Sequence, residues 1–230
     1  MVAVSLNANG LRAAWKKGLG AWLDAENPDL VFFQEVKWND LEGLKALVAP
    51  WHVVADLAQK PGYSGVAILS RQPLEGVQEL PGLPAELRGE GRFVAVRYDG
   101  VLWLNLYLPS GTQGPKRQAL KLRALEDLSG WLRAAQGTVV LGGDWNLAPT
   151  ALDVHDPKRL DGTPGFTPEE RQWFAAQQAA GWVDAYRVRN PDSAAVYSWW
   201  SARSGAYERN SGWRIDHWVT NCPERVLNAE

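Results

Sequence analysis

Apolar positions along the chain switch between two periods, and the switching sets the elements. Val2 to Leu6 is a short apolar run. Leu11, Trp15, Leu19, Trp22 and Leu23 then recur at helical spacing, which predicts one helix stopped by Asn27-Pro28-Asp29. Leu30 to Phe33 is apolar throughout, as in a strand covered on both faces, and ends in Gln34-Glu35. A second helix is expected over Asp40 to Val48, with Leu41, Leu44, Leu47 and Val48 on one face. Val53-Val54, Gly65 to Leu69, Arg92 to Tyr98 and Val101 to Tyr107 read as strands, the last two joined by the hairpin turn Asp99-Gly100. Gln72 to Glu90 reads as loop with room for one short strand. Pro115 opens the longest helix, where Ala119, Leu122, Leu125, Leu128 and Leu132 form an apolar stripe. Thr138 to Leu141 is another buried strand, ending in Gly142-Gly143-Asp144. Thr167-Pro168-Glu169-Glu170 carries a helix start: N-cap threonine, proline at the first helical position, glutamate at the third. Val196 to Trp200 and Trp213 to Thr220 supply the last two strands.

No linker or low-complexity segment interrupts this order, so a single α/β domain over residues 1–230 is expected. Hairpins and helices both connect the strands, which favours a mixed sheet or two packed sheets over a doubly wound fold. Val31-Phe-Phe-Gln-Glu35 and Val139-Val-Leu-Gly-Gly-Asp144 are both greasy strands that deliver a carboxylate at the end. Strand ends gather the active sites of layered α/β domains, although an acid in a turn is the plainer alternative.

Composition changes the picture in three places. Tryptophan (13) outnumbers phenylalanine (5) and tyrosine (6); most should fill the core, but the ring also stacks on sugars and bases. A net charge of −2 disfavours a generic basic nucleic-acid binder while permitting a local basic face. With one cysteine, Cys222, no internal disulfide forms, and neither a membrane-spanning run nor a secretory leader is evident, so a soluble cytoplasmic protein is expected.

His52, His155 and His217 lie far apart, without zinc-site spacing, and no nucleophile elbow, phosphate loop or dinucleotide fingerprint occurs. What remains are carboxylates and amides at strand ends: Asn7, Glu35, Asp144, Asn146 and Asp216. All-oxygen ligation with one or two carboxylates suits Mg²⁺, which keeps several waters and binds through substrate phosphates. The residues alone therefore point to a Mg²⁺-dependent phosphate-ester site.

Seven segments then follow in a recognisable order: Ser5-Leu-Asn7-Ala-Asn9-Gly-Leu-Arg12, Phe33-Gln-Glu35-Val-Lys37, Gly62-Tyr-Ser-Gly-Val-Ala67, Tyr107-Leu-Pro-Ser-Gly111, Gly142-Gly-Asp144-Trp-Asn146, Gly165-Phe-Thr-Pro-Glu-Glu-Arg171 and Gly212-Trp-Arg-Ile-Asp216. Together they closely resemble the exonuclease III family of abasic-site DNA endonucleases, within the endonuclease/exonuclease/phosphatase superfamily. The resemblance implies a four-layer α/β sandwich of two packed mixed β-sheets flanked by helices. It implies Glu35 as principal Mg²⁺ ligand with Asn7 close to the metal and Asn9 nearby, Mn²⁺ being able to substitute. Asp144 would orient and deprotonate the attacking water, or accept a bond from it; Asn146 would hold a phosphate oxygen, and Tyr107 would approach the phosphate or leaving group. Trp199, Trp200 and Trp213 match the aromatic pocket for the extruded baseless sugar, and one of Trp199 and Trp200 should be core because they alternate along a strand. The partner implied is double-stranded DNA with abasic sites, bound by a monomer in a bacterial-type cytoplasm. Arg203, Arg209 and Arg214 would contact phosphates from the loop over 201–214, whereas Lys116, Arg117, Lys121 and Arg123 read as either a DNA-facing or a solvated helix face.

The family pattern continues to a Ser-Asp-His motif, whose histidine pairs with the carboxylate matching Asp216. That motif and its strand are absent up to Glu230, so a longer native polypeptide is expected, with a shortened, catalytically impaired variant as the alternative. His217 would lie on the strand face opposite Asp216 and so cannot substitute for the missing histidine. Two other functions stay open: a nonspecific nuclease or phosphoesterase of the same superfamily, and an abasic-DNA-binding protein without turnover.

Overall fold

A computed structural model describes residues 1–77, 80–203 and 205–230. The chain divides into one unit of Met1–Tyr107 with Ala135–Gly143 and a second of Leu108–Ala134 with Asp144–Glu230.

In the first unit, β1 (Ala3–Asn7), α1 (Leu11–Lys16), α2 (Leu19–Glu26), β2 (Leu30–Gln34), α3 (Leu41–Val48), β3 (His52–Asp56) and β4 (Val66–Ser70) build a four-stranded sheet of order β1-β2-β4-β3. β1 and β2 run parallel and the other pairs antiparallel, so the sheet is mixed. The helices cover one face: Leu11, Leu23, Leu44 and Val48 pack on Val31, Phe33, Ala67 and Leu69. A second sheet takes β5 (Glu75–Val77), β6 (Phe93–Tyr98), β7 (Val101–Tyr107) and β8 (Val139–Asp144), in the order β5-β6-β7-β8. It packs on the free face of the first sheet, where Phe32 meets Trp103 edge to face at 6.2 Å. Inside that dry layer Asn105 donates to the carbonyls of Phe33 and Ala67 and accepts from Gln34 Nε2, which pins the two sheets in register. The α/β architecture with two sheets flanked by helices is the one expected.

The hairpin at Asp99-Gly100 forms as the sequence predicts, both residues taking positive φ (50° and 70°), as a two-residue primed turn requires. The single helix expected from Leu11 to Leu23 is instead two, α1 and α2. Gly18 sits at φ 103°, a conformation costly for any residue with a Cβ, and this breaks the helix while keeping both halves on the sheet.

The second unit contains α4 (Pro115–Ala134), α5 (Pro157–Leu160), α6 (Pro168–Ala179), β9 (Val183–Asp184), α7 (Ala185–Arg189), β10 (Trp199–Trp200), β11 (Gly212–Trp213) and β12 (Asp216–Thr220). β12 pairs with β9 and β10 with β11, both antiparallel. Trp145 fills the centre, its ring within 6.3 Å of the rings of Trp173, Phe174 and His217. α6 starts with the expected capping box: Thr167 accepts from the Glu170 amide and Glu170 accepts from the Thr167 amide.

Three expectations are corrected here. The strand foreseen over 196–200 shrinks to Trp199-Trp200, and the one over 213–220 splits, because the chain turns at Arg214 to send its side chain inward. On α4 the buried face is Lys121, Ala124, Leu125, Leu128, Ser129 and Leu132, while Ala119 is exposed. Lys121 therefore belongs to neither a solvated nor a DNA-facing stripe.

Candidate active site

The first unit assembles one constellation around Glu35. Parallel pairing sets Asn7, the last residue of β1, beside Gln34, the last of β2, so both chains leave the sheet at the same edge. Asn7 Nδ2 donates to Glu35 Oε1 at 3.0 Å, and the Tyr107 hydroxyl donates to the same oxygen at 2.9 Å. Lys37 Nζ sits 2.7 Å from Oε2 and also reaches Asn9 Oδ1. Asn7 Oδ1 in turn accepts from the Asn9 amide at 3.1 Å. Burial alone would raise the Glu35 carboxyl, but the hydrogen bonds from Lys37, Asn7 and Tyr107 outweigh it and hold the group below the usual carboxylate range. Asn9, Glu35 and Lys37 all have positive φ (44°, 51° and 54°), the strained backbone that collects where side chains must be aimed. Arg92, almost fully buried, stacks over the Tyr107 ring at 4.4 Å and donates to its carbonyl, fixing the phenol.

This donor set fits a hard cation. It offers a carboxylate and an amide oxygen without sulfur or imidazole, and among the described residues no group of three or more His, Cys, Asp or Glu side chains forms a closed cage. A site of one carboxylate and one amide leaves most coordination positions to water and substrate, an arrangement that hard divalent cations accept.

The second unit carries the other strand-end carboxylates. Asp144 closes β8 and is nearly buried; its Oδ1 accepts from the Asn146 amide at 2.8 Å. Asn146 takes φ 49°, and its Nδ2 donates to the Leu108 carbonyl at 2.9 Å, while the Leu108 amide donates to the Asp144 carbonyl at 2.9 Å. Asp216 opens β12, where Ser198 Oγ accepts from its amide and from that of Ile215. Burial, then the charge of Asp144, push the Asp216 carboxyl well above its ordinary range.

The aromatic and basic candidates divide. Trp199 and Trp213 are register partners across β10 and β11, with Trp213 set edge-on to Phe166 at 6.4 Å. Trp199 is 47% exposed and Trp200 is half-buried, its indole N–H donating to Asn210, so neither is the core residue expected of this pair. Arg203 and Arg209 are exposed. Arg214 is not a phosphate contact: it is 4% exposed, with Nε on Asp153 at 2.8 Å and Nη2 on Asp184 at 2.6 Å. Its Nη1 also faces His217 Nδ1 at 2.9 Å, and the opposite ring nitrogen lies 2.7 Å from the Leu147 carbonyl. His217 is a buried core histidine, on the strand face opposite Asp216 as expected.

Sequence reasoning gave no role to Lys37, Arg92, Ser198 or Asp153. Only Asp153 left a signal, as the third-position acid after an N-cap threonine, Thr150, whose capping box the structure contains.

A sequence profile of the Endonuclease/Exonuclease/phosphatase family matches residues 4–225. The exodeoxyribonuclease of Bacillus subtilis (strain 168) is 35% identical over 225 residues, covering 96% of this chain and 88% of that protein. Among solved structures, an AP endonuclease from Archaeoglobus fulgidus superposes with a TM-score of 0.82 at 28% identity, over 96% of this chain and 86% of the other. A 3′-5′ exonuclease from Neisseria meningitidis gives the same TM-score of 0.82 at 29% identity and the same coverage, 96% and 86%.

Proposed function

The chain belongs to the endonuclease/exonuclease/phosphatase family, and from that premise we propose that it is a Mg²⁺-dependent DNA-repair phosphodiesterase that cleaves the backbone 5′ to abasic sites, with 3′→5′ exonuclease activity on the same chemistry. The observation that carries this reading is the Glu35 carboxylate, kept ionised by Lys37, Asn7 and Tyr107 at the edge of a rigid sheet.

Glu35 and Asn7 would hold the cation, which when bound supplies Lewis-acid stabilisation of the scissile phosphate. Phosphoryl transfer asks the protein mainly for positioning and charge stabilisation. Asp144, an acceptor on a fixed turn, orients a water and takes its proton. The Asn146 amide contacts a phosphate oxygen, and the Tyr107 phenol donates toward the phosphate or leaving group. The exposed Trp199 indole and its register partner Trp213 offer apolar faces to a sugar without a base, the nucleotide that loses least stacking when extruded.

Replacing Glu35 tests this directly. Glu35→Gln keeps the shape but removes the charge that attracts a cation, so half-maximal incision of an abasic duplex should need at least about tenfold more Mg²⁺, with an unchanged melting temperature. A Mg²⁺ titration matching the wild type would sink the metal assignment.

A further inference from the structure

Lys121 has no part in the chemistry above, yet it is the most thoroughly enclosed cation among the described residues, at 0% exposure. It projects from the middle of α4 and donates to two acceptors, the Glu170 carboxylate and the main-chain carbonyl of Asn146. Glu170 is itself immobile: its Oε2 accepts from the amides of Gly165 at 2.8 Å and Thr167 at 3.0 Å, as part of the α6 cap. The Gly165 backbone closes the other side, since its carbonyl accepts from the Ala148 amide at 2.7 Å and a Cβ at Gly165 would stand 3.0 Å from the Asn146 carbonyl oxygen. Asn146 is thus gripped at its carbonyl by Lys121, at its amide by Asp144 and at its side chain by Leu108, while holding φ 49°.

A buried ion pair is a poor device for stability alone, because desolvating two charges offsets most of their attraction and an apolar pair of similar volume serves as well. What an apolar pair cannot do is hold a carbonyl in a strained turn. We propose that the Lys121–Glu170 pair is a positioning device for the Asp144-Trp145-Asn146 turn, locking the left-handed Asn146 and with it the aim of the Asp144 carboxylate. Its effect on rate rests on the phosphodiesterase reading above; its effect on the turn does not.

Two variants separate this from a merely structural role. Lys121→Met/Glu170→Gln removes both charges without leaving either one buried alone, so folding should survive. Glu170→Gln alone keeps the lysine contact to Asn146 but leaves the Lys121 charge buried without its counter-ion, so it should melt lower than the double variant. In the double variant, amide exchange over residues 144–148 should speed by about tenfold or more while exchange elsewhere and melting temperature hold. Turnover of an abasic duplex should fall roughly 10–100-fold with substrate affinity unchanged, the signature of lost aim rather than lost binding. Assayed below its melting transition, Glu170→Gln should keep more of the wild-type rate than the double variant, because the Lys121 contact to Asn146 remains. Wild-type exchange at 144–148 in the double variant overturns the proposal, as does exchange accelerated throughout the chain. A wild-type protein that fails to incise abasic DNA defeats the phosphodiesterase reading, and the exchange data then decide the role of Lys121 without it.

Discussion

Asp144→Asn lowers the single-turnover incision rate roughly 10²–10⁴-fold and leaves affinity for the abasic duplex within about twofold. The substitution is nearly isosteric, and the new side-chain carbonyl can still accept the hydrogen bond that Asp144 Oδ1 takes from the Asn146 amide. The turn therefore survives, and with it the contacts of Asn146 to Leu108. What disappears is basicity: an amide cannot take a proton from water at neutral pH. The negative charge that helps raise the Asp216 carboxyl goes as well, so Asp216 should ionise more readily in the variant. That carboxylate would retain some attraction for water and set a floor under the remaining rate. Quenched-flow incision beside a binding isotherm separates the two effects. Normal turnover by Asp144→Asn would remove this residue from the chemistry.

The largest loss of stability is expected away from the reacting groups, at Arg214. Arg214→Met should cost about 3–5 kcal/mol, because Asp153 and Asp184 would stay buried without their main partner. For a chain of this size that is a fall in melting temperature of about 10 °C or more. Arg203→Met, at an exposed position, should change stability by less than about 0.5 kcal/mol. The cluster also gives the fold an acid limit. Burial pushes Asp184 and Asp153 up, but His217 and Arg214 around the first, and Arg214 and Arg187 around the second, hold both below the ordinary carboxylate range. A carboxyl depressed in the folded state contributes stability that is complete above its unfolded value of about 3.9 and is lost as pH falls below it. The stability gap between wild type and Arg214→Met should therefore be widest at neutral pH and close below about pH 4. A gap independent of pH would mean that the arginine acts by packing alone.

Much of the framework was legible because local rules and tertiary packing agree in this chain. The Asp99-Gly100 hairpin, the Thr167 capping box and the all-apolar β2 each form where turn chemistry, capping and hydrophobic period place them. The same strands deliver Glu35 and Asp144 to strand ends, so the acid candidates could be selected by type and place. Gly18 was harder, since an isolated glycine in a helical pattern is usually tolerated and only its φ of 103° marks the break. On α4 the stripe was read correctly at Leu125, Leu128 and Leu132 and missed at its N-terminal end, where Lys121 and not Ala119 is buried. Lys121, Leu125, Leu128 and Leu132 share a face at spacings of four, three and four, and a lysine on that face was a sign of a buried ion pair. Arg214 misled for a related reason: the arginines nearby at 203 and 209 are exposed, and nothing local tells a phosphate contact from an arginine whose partners, Asp153 and Asp184, lie 61 and 30 residues away.

The central claim is lesion-specific, metal-dependent incision, and one assay tests it most directly. A labelled duplex carrying a single synthetic abasic site is incubated with the protein in Mg²⁺ and in EDTA, beside an undamaged duplex of the same sequence. The account predicts a nick immediately 5′ to the lesion, leaving a 3′-hydroxyl that a polymerase extends, only with Mg²⁺ and only in the damaged strand. Binding of the lesion without a nick, or equal cutting of both duplexes, would contradict it.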